Sequence, residues 1–542
     1  MTKSWEIHTA ASGLADAYRR QDLWNDQSLG EYLGECLRAR RDLEFRIWSK
    51  SRPLRSTFGE MYDLARRVAG GLRARGVGPG EVVAFQMPNC AEAAITYWAL
   101  SLLGAVIVPV VHFYGSKELG FILDDSGARF LLVADRFGSR DYLAQLEELS
   151  PQVERLEGTF VVGKVPPRAS PFSVLLDGDP IGGPARVDPD APAFVGYTSG
   201  TTSDPKGVIH SHRSAVAEIR SKLEFRAIPA ESLPMLTGAP LSHAIGMLGA
   251  LLMPLAWQQP VHVTDVWDPA EILRIMVEGD LTAGSGSTFF LTSLLDHPAF
   301  GPEHLARLGY VALGGSSVPP AITERAERLG ISVVRGYGST EHPTTTGSMH
   351  PDPREKRLYT DGRPMPGVEI RLVDERVREV GPGEAGEILS RGPDLFVGYT
   401  DRGLTANAFD DDGWFATGDI GVLDGDGYLT ITDRKKDIII RGGEKVSAAE
   451  VEELLLRMPG VAEVALVPAP DPRLGEHGCV FVRAAVGAPT PELDAIRTHL
   501  SRAGLAKQKW PEEVRAVDDF PRTPSGKIKK YVLRERLWNR DA

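Results

Sequence analysis

The sequence predicts an α/β protein built on mostly parallel sheets, and three observations carry that expectation. Short apolar strands at Val82–Gln86, Val106–Val111, Phe130–Val133 and Phe160–Val162 alternate with amphipathic helical stretches, the pattern of repeated strand–helix–strand units. Between Val368 and Leu429 the texture changes to short strands separated by the turns Gly381-Pro-Gly-Glu-Ala-Gly386 and Asp424-Gly-Asp-Gly427, which reads as an antiparallel, barrel-like subdomain. Beyond Asp433–Lys436 the chain returns to helix and strand, and the domain boundary is placed there. A chain of 542 residues, 42% hydrophobic and 25% charged, suffices for one large and one small domain, each with its own core.

Taken in order, Gly76-Val-Gly-Pro-Gly80 precedes a strand rather than following one, so it is a helix-to-strand turn and not a dinucleotide fingerprint. The stretch Ala93 to Val111 carries no charge, but Gly104 and Pro109 break it, and it reads as a helix, a turn and a buried parallel strand rather than a membrane span. Residues 197–207 read Tyr-Thr-Ser-Gly-Thr-Thr-Ser-Asp-Pro-Lys-Gly. Glycine permits close backbone approach, Thr198, Ser199, Thr201 and Thr202 supply short donors, and Lys206 supplies charge, which together suit a polyphosphate. No Gly-Lys-Ser/Thr closes the run and β-branched Val208-Ile209 follows, so it is not a P-loop opening a helix. Leu313-Gly-Gly-Ser-Ser317 superficially matches a carrier-domain serine site, but it follows a strand over Tyr310–Leu313 and runs into Val-Pro-Pro, where no carrier helix can begin. His210 and His212 are read as loop histidines, because two ligands without a third make a weak metal site.

A net charge of −12 argues against non-specific nucleic-acid binding. Local basic clusters at Arg434, Lys435, Lys436, Arg441 and Lys445, and at Lys527, Lys529 and Lys530, can still meet an anionic ligand, although charge runs are usually solvated faces. Cys36, Cys90 and Cys479 are odd in number and widely spaced, fitting neither a disulfide framework nor a zinc site. The start Met-Thr-Lys-Ser-Trp-Glu leads into no apolar run, so the expected location is the cytoplasm.

Distant motifs then converge. Pro240-Leu-Ser-His243, Gly336-Tyr-Gly-Ser-Thr-Glu341, Trp414-Phe-Ala-Thr-Gly-Asp419, Asp433-Arg-Lys-Lys-Asp437, Gly442-Gly-Glu-Lys-Val446 and Pro521-Arg-Thr-Pro-Ser-Gly-Lys527 follow the 197–207 loop in the order found in the adenylate-forming (ANL) superfamily. The chain resembles that family over nearly its whole length. The resemblance implies a large N-terminal domain, residues 1–432, of two α/β subdomains plus the barrel-like one, a hinge at 433–436 with Lys436 at its pivot, and a small mobile α+β domain at 437–542. It implies an ATP- and magnesium-dependent ligase that joins a small-molecule carboxylic acid to coenzyme A through an acyl-adenylate, with no nucleic-acid partner.

The roles follow by position. The resemblance assigns ATP or AMP contacts to Thr198, Ser199, Gly200, Thr201, Thr202, Lys206, Gly315, Ser316, Ser317, Gly336, Gly338 and Ser339, with Tyr337 stacking on adenine and Thr340 donating to the α-phosphate. Glu341 is the implied magnesium ligand, a hard oxygen donor. Asp419 offers two acceptor oxygens to the ribose hydroxyls and Arg434 a fork of donors. Lys527 bridges carboxylate and α-phosphate. His243 stands at the mouth of the acyl pocket or else is a packed core residue; Ala244, Met247, Gly314 and Gly338, with Gly315, Ser339 and Pro343, are its neighbours. Gly442 and Gly443 border the pantetheine tunnel or form a tight turn after a strand at Ile438–Ile440. Small residues predominate in the pocket, so bulk is admitted, and Tyr18 to Leu29 resembles the opening of cyclohexanecarboxylate and medium-chain fatty acid ligases. A hydrophobic medium-chain or alicyclic acid is expected. Loading of a carrier protein in trans, a luciferase-like oxygenase and a non-catalytic binding module remain as alternatives, and a homodimer is one option for the assembly.

Overall fold

The computed structural model describes residues 5–198, 205–225, 229, 232–435, 437–441, 444–523 and 526–538. Among them the largest sheet has eight strands in the spatial order Gly398–Tyr399, Lys206–Ser211, Pro192–Thr198, Val106–Pro109, Val82–Gln86, Phe130–Ala134, Gly158–Val162 and Ser170–Pro171. From Pro192–Thr198 onward every pairing is parallel, whereas Lys206–Ser211 pairs antiparallel with both of its neighbours. The central strands are continuous apolar runs because helices cover both faces. Val82–Gln86 is buried at every position.

The uncharged stretch resolves as expected. Helix Ala91–Leu103 ends at Gly104, whose φ of 65° is the left-handed cap that a Cβ would oppose, and strand Val106–Pro109 follows. Helix Phe58–Arg73 starts on a capping box, Thr57 accepting from the Glu60 N–H while the Glu60 carboxylate accepts from the Thr57 N–H, and ends before the Gly76–Gly80 turn into Val82–Gln86.

A second sheet joins Leu236–Thr237, Val261–Thr264, Glu44–Trp48 and Leu54–Thr57. A third pairs Tyr310–Gly314 parallel to Ser332–Tyr337 and continues antiparallel through Thr346–Gly347 and Arg363–Pro364. Single bridges at Met235–Thr282 and Gly286–Leu313 stitch further segments beside these two sheets. The region of Gly/Asp turns is a four-stranded antiparallel meander of Glu369–Val373, Ala385–Arg391, Phe415–Leu423 and Leu429–Arg434.

The last sheet runs Glu444–Val446, Ile439–Arg441, Gly475–Ala484 and Val461–Asp471, with Glu513–Ala516 parallel to Gly475–Ala484. It carries a core on each face. Ile439, Val451, Leu455, Val480, Ile496 and Leu500 fill one, and Ala465, Val467, Phe481, Phe520, Leu533 and Leu537 the other. The alternation of buried residues along Val461–Asp471 and Gly475–Ala484 between the two clusters is the period-two signature of a sheet covered on both sides.

One expectation needs correction. His210 and His212 are not loop residues: His210 lies in strand Lys206–Ser211, His212 opens helix His212–Glu224, and both are buried. The three cysteines are free, Cys90 and Cys479 buried and Cys36 partly so. No helix among the described residues is long and apolar enough to cross a membrane.

Candidate active site

The hairpin Pro192–Thr198/Lys206–Ser211 sets the floor of the site. Its register puts Thr198 opposite Lys206, so Lys206 opens a strand paired antiparallel with Pro192–Thr198 and not a helix. Ser199, Gly200, Thr201 and Thr202 lie outside the described residues, as do Lys436, Gly442 and Gly443.

Strand Ser332–Tyr337 delivers the Gly336–Glu341 segment to the same region. Four features fix the turn that follows. Ser339 N–H donates to the His342 carbonyl at 2.9 Å, and the Thr340 carbonyl accepts from His210 Nε2 at 2.8 Å. Phe396 N–H donates to the Glu341 carbonyl at 2.8 Å, and the Tyr399 hydroxyl donates to Glu341 Oε1 at 3.0 Å. Burial holds the His210 ring down at about 4, so it stays neutral, with Nε2–H as donor and Nδ1 accepting from Ser214 Oγ. A Cβ on Gly196 would stand 3.0 Å from Thr340 Cγ2, so the threonine side chain lies against the hairpin strand. Lys206 Nζ is 5.9 Å from the Tyr399 ring centroid, so the lysine, the tyrosine and the Glu341 carboxylate form one connected group.

Asp419 and Arg434 face each other across the meander and join through Arg434 Nε to Asp419 Oδ1 at 2.9 Å. The Tyr337 hydroxyl donates to Asp419 Oδ2 at 2.7 Å. Burial first, and then the Asp419 charge, holds the phenol well above its ordinary range. The structure thus brings Tyr337, Asp419 and Arg434 together, with Asp419 buried, Tyr337 half-buried and the Arg434 guanidinium at the exposed edge.

Around His243 the backbone is unusual. His243 caps the short helix Ala244–Gly246, Nδ1 accepting from Ile245 N–H at 3.4 Å, and the chain then widens into a π-helix over Met247–Leu252. Such widened turns concentrate at functional sites. Burial, with the Lys527 charge adding, lowers the His243 imidazole to about 4. Lys527 therefore lies close enough to His243 to act on it electrostatically.

The loop of Lys527 is seated on the large domain. Gly526 has φ of 81°, and a Cβ there would fall 2.8 Å from both Phe289 Cβ and Ser287 Oγ. The Arg522 guanidinium stands 5.4 Å over the Phe289 ring and is itself held by Glu463 at 2.6 Å to each oxygen.

Among the glycines expected in the pocket, the small size has a different cause. A Cβ on Gly338 would sit 2.1 Å from the Pro343 carbonyl oxygen, and one on Gly314 would sit 2.7 Å from the Gly336 carbonyl oxygen. Close backbone approach, not room for ligand, requires glycine there. Gly315, at φ of 73°, faces Ile245, whose Cδ1 would lie 2.6 Å from a Cβ. The Ser316 hydroxyl is buried without a partner among the described residues, and Ser317 is exposed.

Sequence reasoning missed His210, Ile245, Phe289, His342, Asp394 and Tyr399. Their roles come from pairings such as Tyr399 to Glu341 and His210 to Thr340, 58 and 130 residues apart in the chain. No group of three or more His, Cys, Asp or Glu among the described residues could hold a metal ion. Glu341 keeps one carboxylate oxygen beyond its bond to Tyr399, which suits magnesium, an ion that takes few protein ligands and fills its shell with phosphate and water oxygens.

The fold and this constellation define an adenylate-forming enzyme. A family model described as AMP-binding enzyme matches residues 38–400, and one described as AMP-binding enzyme C-terminal domain matches residues 450–527. The chain belongs to the AMP-binding enzyme family. It is 33% identical over 531 residues to the medium-chain fatty-acid–CoA ligase of Escherichia coli K12, covering 97% of this chain and 93% of that protein. It is 34% identical over 496 residues to the 3-[(3aS,4S,7aS)-7a-methyl-1,5-dioxo-octahydro-1H-inden-4-yl]propanoyl:CoA ligase of Rhodococcus jostii RHA1, covering 89% and 94%. The crystal structure of ATP-bound MatB from Rhodopseudomonas palustris superposes with a TM-score of 0.83 at 27% identity, over 95% of this chain and 99% of that one.

Proposed function

We propose that this protein is an ATP-dependent acid:CoA ligase that activates a hydrophobic carboxylic acid, medium-chain or alicyclic, as its adenylate and then transfers the acyl group to coenzyme A. The single observation that carries this reading is the seating of Lys527 beside His243 while Thr340 and Glu341 stand over the phosphate-loop hairpin. This seating supports a role for Lys527 as the cation between the acid and the nucleotide phosphate.

In this reading the substrate carboxylate attacks the α-phosphorus of ATP, the bond to the bridging oxygen breaks, and pyrophosphate leaves. Both partners are anionic, so the enzyme positions them and neutralises charge rather than moving protons. Thr340 donates to the α-phosphate, Lys206 meets the departing phosphates, and Lys527 bridges the two reacting groups. Asp419, preorganised by Tyr337 and Arg434, accepts from the ribose hydroxyls. Glu341 would hold magnesium, which supplies charge neutralisation on phosphate oxygens. His243 stays neutral at the pocket mouth. For the thiol step the small domain pivots at Lys436, within a boundary at 433–436, and presents Gly442 and Gly443. The acyl pocket is bounded by Ala244, Met247 and Gly315, with Ile245 as its apolar wall; the two CoA-ligase relatives named above act on acids with large apolar parts, which supports the substrate class.

The test is AMP formation by purified protein with ATP and magnesium across a panel of carboxylic acids, with and without coenzyme A. Turnover that needs coenzyme A and ranks hexanoate, octanoate or cyclohexanecarboxylate above acetate is the expected result. Adenylate without thioester points to a carrier protein or another acceptor. A Lys527→Ala enzyme should lose adenylation by about a hundredfold or more while still converting a supplied acyl-adenylate and coenzyme A to thioester. Equal loss of both steps would refute the role given to Lys527.

A further inference from the structure

The turn that carries Thr340 and Glu341 is backed by a buried polar cluster that the roles above do not use. His342, the next residue, meets Ser390 Oγ through Nδ1 at 2.9 Å and Asp394 Oδ1 through Nε2 at 3.2 Å. Asp394 comes from the segment that also supplies Phe396 and Tyr399 to Glu341. Behind Asp394 stands Glu218, from helix His212–Glu224. Its Oε1 accepts from Thr344 Oγ1 at 2.7 Å and lies 3.7 Å from Lys222 Nζ. His342, Ser390, Asp394 and Glu218 are all at most 3% exposed.

One oxygen on each acid is unaccounted for. Asp394 Oδ2 and Glu218 Oε2 are buried, and no N–H or O–H among the described residues donates to either one. The two carboxyl groups are close enough to hydrogen-bond each other. Two ionised carboxylates facing one another away from water repel, and neither can donate. One proton between them removes the repulsion and supplies the missing donor. Burial pushes the Glu218 carboxyl up to about 8; Lys222 pulls against this and the Asp394 charge reinforces it. For Asp394 burial is outweighed, and the His342 ring and Glu218 hold its carboxyl below the usual range.

We propose that Glu218 is a neutral carboxylic acid that donates its proton to Asp394, and that Glu218, Asp394 and His342 act as a chain of positioning residues holding the Thr340–Glu341 turn for ATP. Asp394 thereby accepts from both sides, and the His342 ring is fixed between two partners. Displacing that ring displaces the residue bonded directly to Glu341. The inference rests on the reading of this turn as part of the ATP site.

Two measurements on the full-length enzyme test it. Infrared difference spectra of wild type against Glu218→Gln at pH 7 should show the carbonyl stretch of a protonated carboxylic acid, shifting in D2O, that the variant lacks. Steady-state kinetics should show the KM for ATP within about twofold of wild type in Glu218→Gln, whose amide still donates, and raised about tenfold in Glu218→Leu, with the KM for the acid unchanged. Absence of the acid band in wild type, or its persistence in Glu218→Gln, overturns the proton assignment. A wild-type KM for ATP in Glu218→Leu overturns the positioning role. Should Glu218→Leu fail to fold, Ser390→Ala replaces it, with an expected rise of about threefold and no rise as the refuting result. A wild-type protein that forms no AMP with any acid would refute the proposed function instead, and the infrared measurement would still decide the proton.

Discussion

Gly338 shows how much one absent methyl group holds in place. Its missing Cβ lets the Gly336–Glu341 segment double back until the Pro343 carbonyl stands 2.1 Å from where that carbon would be. An alanine there must push the Pro343 backbone away, and with it the turn that presents Thr340 and Glu341. Overpacking of this kind costs about 1–3 kcal/mol in stability, and a shift of about 1 Å at a reacting group costs about a hundredfold in rate. Gly338→Ala is therefore expected to lower Tm by a few degrees and kcat/KM for ATP about a hundredfold. Equal, small losses in both would mean that the turn relaxes without moving its side chains. Tyr399 acts at the same scale: its hydroxyl on Glu341 Oε1 leaves the other carboxylate oxygen outside that bond, the oxygen that the proposed magnesium role requires.

At the scale of elements, the contacts made by the C-terminal sheet and its loops bear on the proposed half-reactions. The segment Gly475–Ala484 and its partners form a platform whose outlying loop sets Gly526 against Ser287 and Phe289. Arg522, held by Glu463, lies over the Phe289 ring at 5.4 Å. Lys445 pairs with Glu375 and Arg457 with Glu324, so the C-terminal region proposed as a separate domain touches the rest of the chain through these pairs as well. Exposed ion pairs of this kind are individually weak, and a weakly held domain can turn. If the proposed two-step cycle turns this domain, the Phe289 contact belongs to the lysine-forward arrangement alone. Phe289→Ala is expected to slow acid-dependent pyrophosphate exchange severalfold to about tenfold, the range of a partly desolvated cation–π contact, and to leave thioester formation from a supplied acyl-adenylate unchanged. Stopped-flow or quench measurement of the two steps separately checks this; equal slowing of both would assign Phe289 to the fold instead.

At the scale of the whole molecule, the buried and half-buried histidines set an acid limit on stability. His112, His210, His212, His243, His262 and His350 are each lowered by burial from 6.5 to about 4. Unfolded, these rings bind protons near pH 6.5; folded, they resist until about pH 4. Stability is thus fully present above pH 6.5 and is lost as pH falls toward 4. Glu218 runs the other way: raised from 4.5 to about 8, it contributes stability below pH 4.5 that is lost as pH rises through 8. Burial also raises Asp265, Asp433 and Glu452, which act in the same direction as Glu218, but six rings each displaced from 6.5 to about 4 leave the acid side dominant. Urea midpoints should be flat or slightly falling from pH 7 to 8 and should drop steeply from 6.5 to 4.5. A midpoint unchanged across pH 5 to 7 would mean that the rings are solvated.

The sequence by itself determined the layered α/β plan, because apolar runs of strand length alternating with amphipathic stretches bury both faces of a parallel sheet in only one way. It determined the helix-to-strand turns, because Gly76, Gly80 and Gly104 adopt the positive φ that other residues resist. Motif order likewise singled out the candidate nucleotide end of the site, since Thr340, Glu341, Asp419 and Arg434 sit in short local patterns. Only the tertiary structure decided what holds them. His210, Asp394, Tyr399 and Glu218 reach the Thr340–Glu341 turn across long stretches of chain, and local periodicity carries no information about such pairings. The same holds for the pocket glycines, where absence of a side chain reads as open space in sequence but is backbone packed against backbone in three dimensions. Protonation was equally invisible, because the state of a carboxyl such as Glu218 depends on the water it loses and the charge it faces.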